Sequence, residues 1–153
     1  MDYVAEYDRM IQEVTAVLDK PISRDKYEII DRGVPHKPGS LKPGKMGVYT
    51  FIFEDKFLKI GIVGANSNAR FLSQHYNPRS AGSTLAASLL SDPEMAQYKF
   101  DENNVGEWIK HNCRRIDILL DADISVFARN LIEAAFHYRF EPKYEGFKAQ
   151  REI

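Results

Sequence analysis

The chain has 153 residues, a mass of 17.6 kDa and a net charge of −1, with apolar residues at 44% and charged residues at 28%. These are the values of one globular domain built on one core. They exclude several classes: no run of 18 or more apolar residues exists to span a bilayer, the acid-bearing start MDYVAEYDRM is unlike a secretory signal, and Cys113 alone can form neither an internal disulfide nor a thiolate zinc site. A soluble, cytoplasmic protein is expected, with no membrane contact and with Cys113 as a small buried apolar residue.

Val4, Tyr7, Ile11, Val14 and Leu18 recur at spacings of three and four, which predicts an N-terminal helix with one apolar stripe. Its partner is either the body of the domain or a second subunit, so the helix is one candidate interface for a homodimer. After Pro21, KYEII can form a short strand. GVPHKPGSLKPGK then repeats Lys-Pro-Gly and reads as a basic loop. Residues 46–53 and 57–63 are rich in Val, Ile, Phe and Tyr and predict a hairpin around Glu54-Asp55-Lys56. A three-residue loop pairs 53 with 57, 51 with 59 and 49 with 61, setting Tyr49 and Lys59 on one face. A two-residue loop sends them to opposite faces. The three-residue loop is the expectation adopted.

Asn66 or Ser67 caps a predicted helix running to about His75, and Ser83 or Thr84 starts another through Leu90. Asp92-Pro93 reads as a cap followed by a first-turn proline. NVGEWIKHN predicts a further helical turn or two, with Trp108 as a core anchor, and RRIDILL a third strand. Asp123 caps a predicted long helix through Phe140. There Ile124, Phe127, Ala128, Leu131, Ile132, Ala135 and Tyr138 form the apolar arc, and Arg129, Asn130, Glu133 and His137 the polar strip. The expected architecture is α+β, a small three-stranded antiparallel sheet flanked by helices. Residues 1–45 form an N-terminal extension of helix and basic loop packed on a domain of residues 46–153.

Charge is unevenly placed. Residues 34–82 hold seven Lys and Arg against two acids, a net +5 that leaves −6 for the rest. Such an asymmetry suits a polyanion docking at one basic face.

GVY at 47–49, KIG at 59–61, NARFLSQHY at 68–76 and NLIEAAFHYRFEPKYEG at 130–146 follow in an order and spacing that resembles the GIY-YIG nuclease superfamily, in its stand-alone, restriction-endonuclease-like form. The likeness runs from about residue 45 to 147. Lys59 stands where the second motif normally begins with tyrosine, Ile62-Val63 are apolar where many relatives are basic or polar, and Glu145 falls about where an asparagine is common. The resemblance implies a DNA endonuclease, type II restriction-like, that hydrolyses phosphodiester bonds with one Mg²⁺, which Mn²⁺ can replace. It maps the arginine to Arg70, which would grip phosphate oxygens, and the metal-holding acid to Glu133. Tyr49 would position or deprotonate the attacking water. A free phenol titrates near pH 10, and Lys59, with Arg70 and the ion, would lower that value by roughly 1–3. His75 is a candidate assisting base or phosphate contact. Lys37, Lys42, Lys45, Tyr76 and Arg79 are candidate DNA contacts. A catalytically silent DNA-binding module of the same fold is the alternative.

Overall fold

The computed structural model of the chain describes residues 1–80 and 84–144. Asp2 opens the first helix, α1 (Tyr3–Val17), by accepting a hydrogen bond from the Ala5 amide, which satisfies one of the donors a helix leaves open at its start. The buried face of α1 carries Tyr3, Tyr7, Met10, Ile11 and Thr15. It is rotated from the expected stripe, leaving Val4 and Leu18 outside. Polar tips that find partners explain the rotation: the Tyr7 hydroxyl meets Thr50 Oγ1 at 2.8 Å and Thr15 Oγ1 donates to the Ile11 carbonyl at 2.7 Å.

Four antiparallel strands, β1 (Tyr27–Gly33), β2 (Lys45–Phe53), β3 (Lys56–Val63) and β4 (Arg114–Asp121), form one sheet in the order β1-β4-β2-β3. The expected sheet had three. KYEII opens the additional strand, which pairs along β4 from Tyr27 opposite Leu120 to Gly33 opposite Arg115. As an edge strand β1 keeps Glu28 and Asp31 in solvent, so its apolar signal is weak. Residues 1–45 therefore supply part of the sheet itself.

Helices α2 (Asn68–Leu72), α3 (Leu85–Ser91), α4 (Val105–Asn112) and α5 (Val126–Phe140) complete the chain, with 3₁₀ turns at Arg24–Lys26, Gln74–Tyr76 and Pro93–Tyr98. On one face of the sheet Val48, Ile60, Ile116 and Ile118 pack against Tyr7, Ile132 and Phe136 of α1 and α5. On the other, Tyr49, Phe51 and Leu119 pack against Phe71, Leu85, Leu89, Val105 and Ile109 of α2, α3 and α4. Central strands covered on both faces explain why β2 and β4 are buried almost continuously. Trp108 packs with its ring 4.9 Å from Phe53 and 4.8 Å from Phe100, the anchoring role expected. Cys113 is buried, which pushes its thiol up to about 12. Among the described residues no helix is long and apolar enough to cross a membrane.

Three local expectations are corrected. The hairpin turns on two residues: Glu54 and Asp55 hold φ of +49° and +62°, the left-handed pair of a tight hairpin, and Phe53 faces Lys56. The α2 segment is a five-residue helix followed by the 3₁₀ turn, since the chain does not stay helical to His75. Ser125 caps α5 by accepting from the Phe127 amide, while Asp123 pairs with Lys26. Thr84 caps α3 and Asp92 the turn at Pro93, as expected, whereas the alternative cap Ser83 lies outside the described residues.

Candidate active site

A β-bulge sets the geometry of the hairpin. Past the tight turn the pairing runs Ile52 to Phe57 and then Phe51 to Lys59, so Leu58 is an extra residue on β3. A two-residue turn alone would have sent Lys59 to the face opposite Tyr49. The bulge restores the parity, and Tyr49 pairs with Gly61 while Lys59 pairs with Phe51. The expected loop was wrong and the expected juxtaposition right. Tyr49 also faces Asp117 across β4, so Asp117 joins the same face.

Tyr49 is 1% exposed and its phenol lies over Gly61, where any Cβ would collide with the hydroxyl. Glycine is therefore required there by close approach. Lys59 is 4% exposed, and its ammonium donates to the Tyr144 carbonyl at 3.4 Å. The stretch that supplies this carbonyl is pinned to the bulge: the amides of Lys143 and Tyr144 donate to the Phe57 and Leu58 carbonyls at 3.0 and 2.8 Å. Lys143 also pairs with Asp92 and Glu94, at 2.8 and 2.6 Å, and the Tyr144 hydroxyl donates to Asp92.

His75, at the 3₁₀ turn, is fully buried, with its ring centroid 4.4 Å from that of Tyr49. Burial, and then the charges of Lys59, Arg70 and Arg115, push its imidazole down to about 2. It is thus neutral at ordinary pH. Its Nδ1 accepts from the Leu85 amide at 3.3 Å, which leaves the proton on Nε2, and Nε2 has no partner among the described residues. An imidazole so hard to protonate is a poor base, and of the two roles expected of His75 the neutral Nε2–H suits that of a phosphate contact.

Arg70 lies half-buried on α2, close enough to His75 for its charge to act there. Glu133 is half-buried too, against the expectation that periodicity placed it opposite the apolar face. Residues 129, 133 and 137 share one side of α5. At one end Arg129 comes within 4.0 Å of where a Gly64 Cβ would sit, and at the other His137 Nε2 donates to the Ile60 carbonyl at 3.0 Å. Glu133 lies between them on that side of α5. Two large apolar residues of α5 are instead turned to solvent: Phe127 is 78% and Tyr138 88% exposed.

The basic segment looks different once folded. Lys42 pairs with Glu28 at 2.7 Å, Lys45 with Asp121, and Arg79 with Glu102, while Lys37 is exposed on its loop. Exposed pairs of this kind contribute little to stability. Tyr76 is corrected: 8% exposed, with its hydroxyl 2.8 Å from His36 Nε2 and 3.0 Å from Arg115 Nη1, it belongs to the interior and offers no surface to DNA. Glu145 lies outside the described residues.

Sequence reasoning missed the buried polar group beneath this face. Arg115 and Asp117 are fully buried on β4, bonded to each other at 2.9 Å, and Arg32 Nε reaches the second Asp117 oxygen at 2.5 Å. The signal was there, since two charges spaced by two residues in RRIDILL must share one face of a strand. Comparison of the chain with protein-family models, with curated proteins and with solved structures found no match.

Proposed function

We propose that the chain is a metal-dependent endonuclease that hydrolyses DNA phosphodiester bonds. The observation that carries this reading is the bulge at Leu58, which sets Tyr49 and Lys59 on one face of the sheet, with His75 against the phenol. In-line attack of water on phosphorus spreads negative charge over the phosphoryl oxygens, and the residues here suit its parts. Tyr49 orients the water and, as a phenolate, would take its proton, with the neighbouring cations facing the developing charge. Arg70 grips the non-bridging oxygens through two parallel hydrogen bonds. Lys59 adds a compact charge, and the orphan Nε2–H of His75 gains an acceptor when a phosphate oxygen or the nucleophile arrives. An unsatisfied buried donor costs roughly 1–3 kcal/mol, and a ligand that completes it recovers that energy.

Among the described residues no three His, Cys, Asp or Glu side chains gather to cage a metal. A lone carboxylate still fits Mg²⁺, which keeps several waters and takes its other oxygens from phosphate, so Glu133 would hold it, and Mn²⁺ could replace it. When bound, the ion supplies charge neutralisation at the departing 3′ oxygen.

Incubation with duplex DNA and Mg²⁺ is expected to give fragments with 5′-phosphate and 3′-hydroxyl ends, and Glu133→Gln to lose cutting by at least about 100-fold while retaining DNA binding. The near-complete burial of Tyr49 and Lys59 favours a second reading, a DNA-binding module of the same fold that does not cut. Salt-sensitive retardation of DNA with no cleavage under Mg²⁺ or Mn²⁺ would establish it instead.

A further inference from the structure

Among the described residues Arg115 is one of the largest fully buried side chains, and each nitrogen of its guanidinium donates. Nε bonds Asp117 Oδ1 at 2.9 Å, Nη1 the Tyr76 hydroxyl at 3.0 Å and Nη2 the Phe71 carbonyl at 2.7 Å. Its plane is flanked by the Phe51 and Phe71 rings, with Cζ 5.1 and 4.7 Å from their centroids. Arg32 shares Asp117, so two guanidiniums meet one carboxylate. Desolvating such a group is costly, and well-packed apolar residues often serve stability as well or better. Stability alone is a weak reason for it.

Its connections point elsewhere. Phe71 directly follows Arg70, and Tyr76 directly follows His75. One guanidinium, rooted on β4 at the rung opposite Phe51, thus grips the residue next to each of two proposed phosphate contacts. The segment it holds needs holding. α2 is five residues long, too short to fix its own direction, and the Phe71 carbonyl belongs to its last turn, where a cation is favourable. His36 secures the same hydroxyl from the far side: its Nδ1–H donates to the Cys113 carbonyl at 2.6 Å, and its Nε2 accepts from Tyr76.

We propose that Arg115 is a positioning residue: through Phe71 and Tyr76 it fixes the angle at which Arg70 and His75 face Tyr49. This rests on the nuclease reading for its effect on rate, but the placement itself can be read without DNA. Displacement of a phosphate-gripping group by about 1 Å is enough to cost up to 100-fold in rate.

The test compares wild type with Tyr76→Phe, which deletes one of the three acceptors and keeps the ring, and with Arg115→Lys, which keeps the charge and loses the fork. Cleavage of duplex DNA with Mg²⁺ at 25 °C should show kcat lower by about 10–100-fold in both, with KM within about threefold. In ¹⁵N–¹H spectra of the free protein, the Arg70 Nε–Hε and His75 Nε2–Hε2 signals should move, while the amides of α5 stay in place. Tm is expected to fall by roughly 3–10 °C for Tyr76→Phe, which leaves that variant folded at the assay temperature. A purely structural Arg115 gives the Tm loss alone, and full kcat or unmoved Arg70 and His75 signals in Tyr76→Phe would overturn the proposal. If Arg115→Lys does not fold, Tyr76→Phe decides. If wild type cuts no DNA, the nuclease reading fails on that result, and the spectra still decide whether Arg115 places Arg70 and His75.

Discussion

The Tyr49 phenol lies across its register partner Gly61 so closely that the backbone of β3 forms the floor of its binding place. Gly61→Ala must push the hydroxyl aside. Overpacking of this kind costs about 1–3 kcal/mol, and the displaced oxygen should lower cleavage by about 100-fold. Tyr49→Phe keeps the ring and should lose activity as severely with a stability change under about 1 kcal/mol. Thermal denaturation and cleavage rates measured together separate the two. An active Gly61→Ala variant would mean that the hydroxyl position is not what the site depends on.

Acid should destabilise the protein earlier than carboxylate titration alone predicts. His75 is pushed down to about 2 in the folded chain and sits at 6.5 when unfolded, and burial also lowers His36. For a depressed group the stabilising contribution is complete above the unfolded value and is lost as pH falls towards the folded one. Between pH 6.5 and 5, His75 alone should remove about 1–2 kcal/mol. Urea midpoints across that range measure it. His75→Gln should flatten the profile, and an equally steep profile in that variant would assign the loss to other groups.

The hairpin turn is a place to gain stability. Glu54 holds φ +49°, a conformation that costs most side chains roughly 1–2 kcal/mol and that asparagine tolerates. Glu54→Asn is expected to raise stability by about 0.5–1 kcal/mol and leave DNA cleavage unchanged. Differential scanning calorimetry checks the first and an end-mapped cleavage assay the second.

Asp92 should matter to chemistry from a distance. It is the N-cap of the Pro93–Tyr98 turn, and it also receives Lys143 and Tyr144, whose chain presents the carbonyl that Lys59 meets. Lys143 first, and then Tyr144, hold its carboxyl below the ordinary range. Asp92→Ala should cost about 1–2 kcal/mol through the lost cap and clamp, and should lower kcat about 10-fold by loosening Lys59. A variant with reduced Tm and full kcat would separate the clamp from the site.

Much of this was legible in the chain. Alternation and apolar runs locate β2, β3 and β4, and the shared face of Tyr49 and Lys59 follows from strand parity once a three-residue loop is adopted. The face is right and the loop is not, because a tight turn and a one-residue bulge together shift parity as much as a three-residue loop does. No composition rule distinguishes the two when Glu-Asp occupies the turn. α5 was misjudged for a different reason. Helical periodicity ranks residues by polarity, but tertiary packing here sets His137 against the Ile60 carbonyl, leaves Glu133 half-buried and leaves Phe127 and Tyr138 in water. Tyr76 was misassigned because an aromatic in a polar stretch looks like a surface contact until its hydroxyl is known to have two buried partners.

The outer rim of β3 carries one more consequence. Its carbonyls at Phe57, Leu58 and Ile60 are already taken by Lys143, Tyr144 and His137, and the bulge breaks the even rhythm that an incoming strand would need. A second molecule seeking to lengthen the sheet from this side would find its docking sites occupied, so the β3 edge is shielded from the edge-to-edge stacking that seeds aggregates.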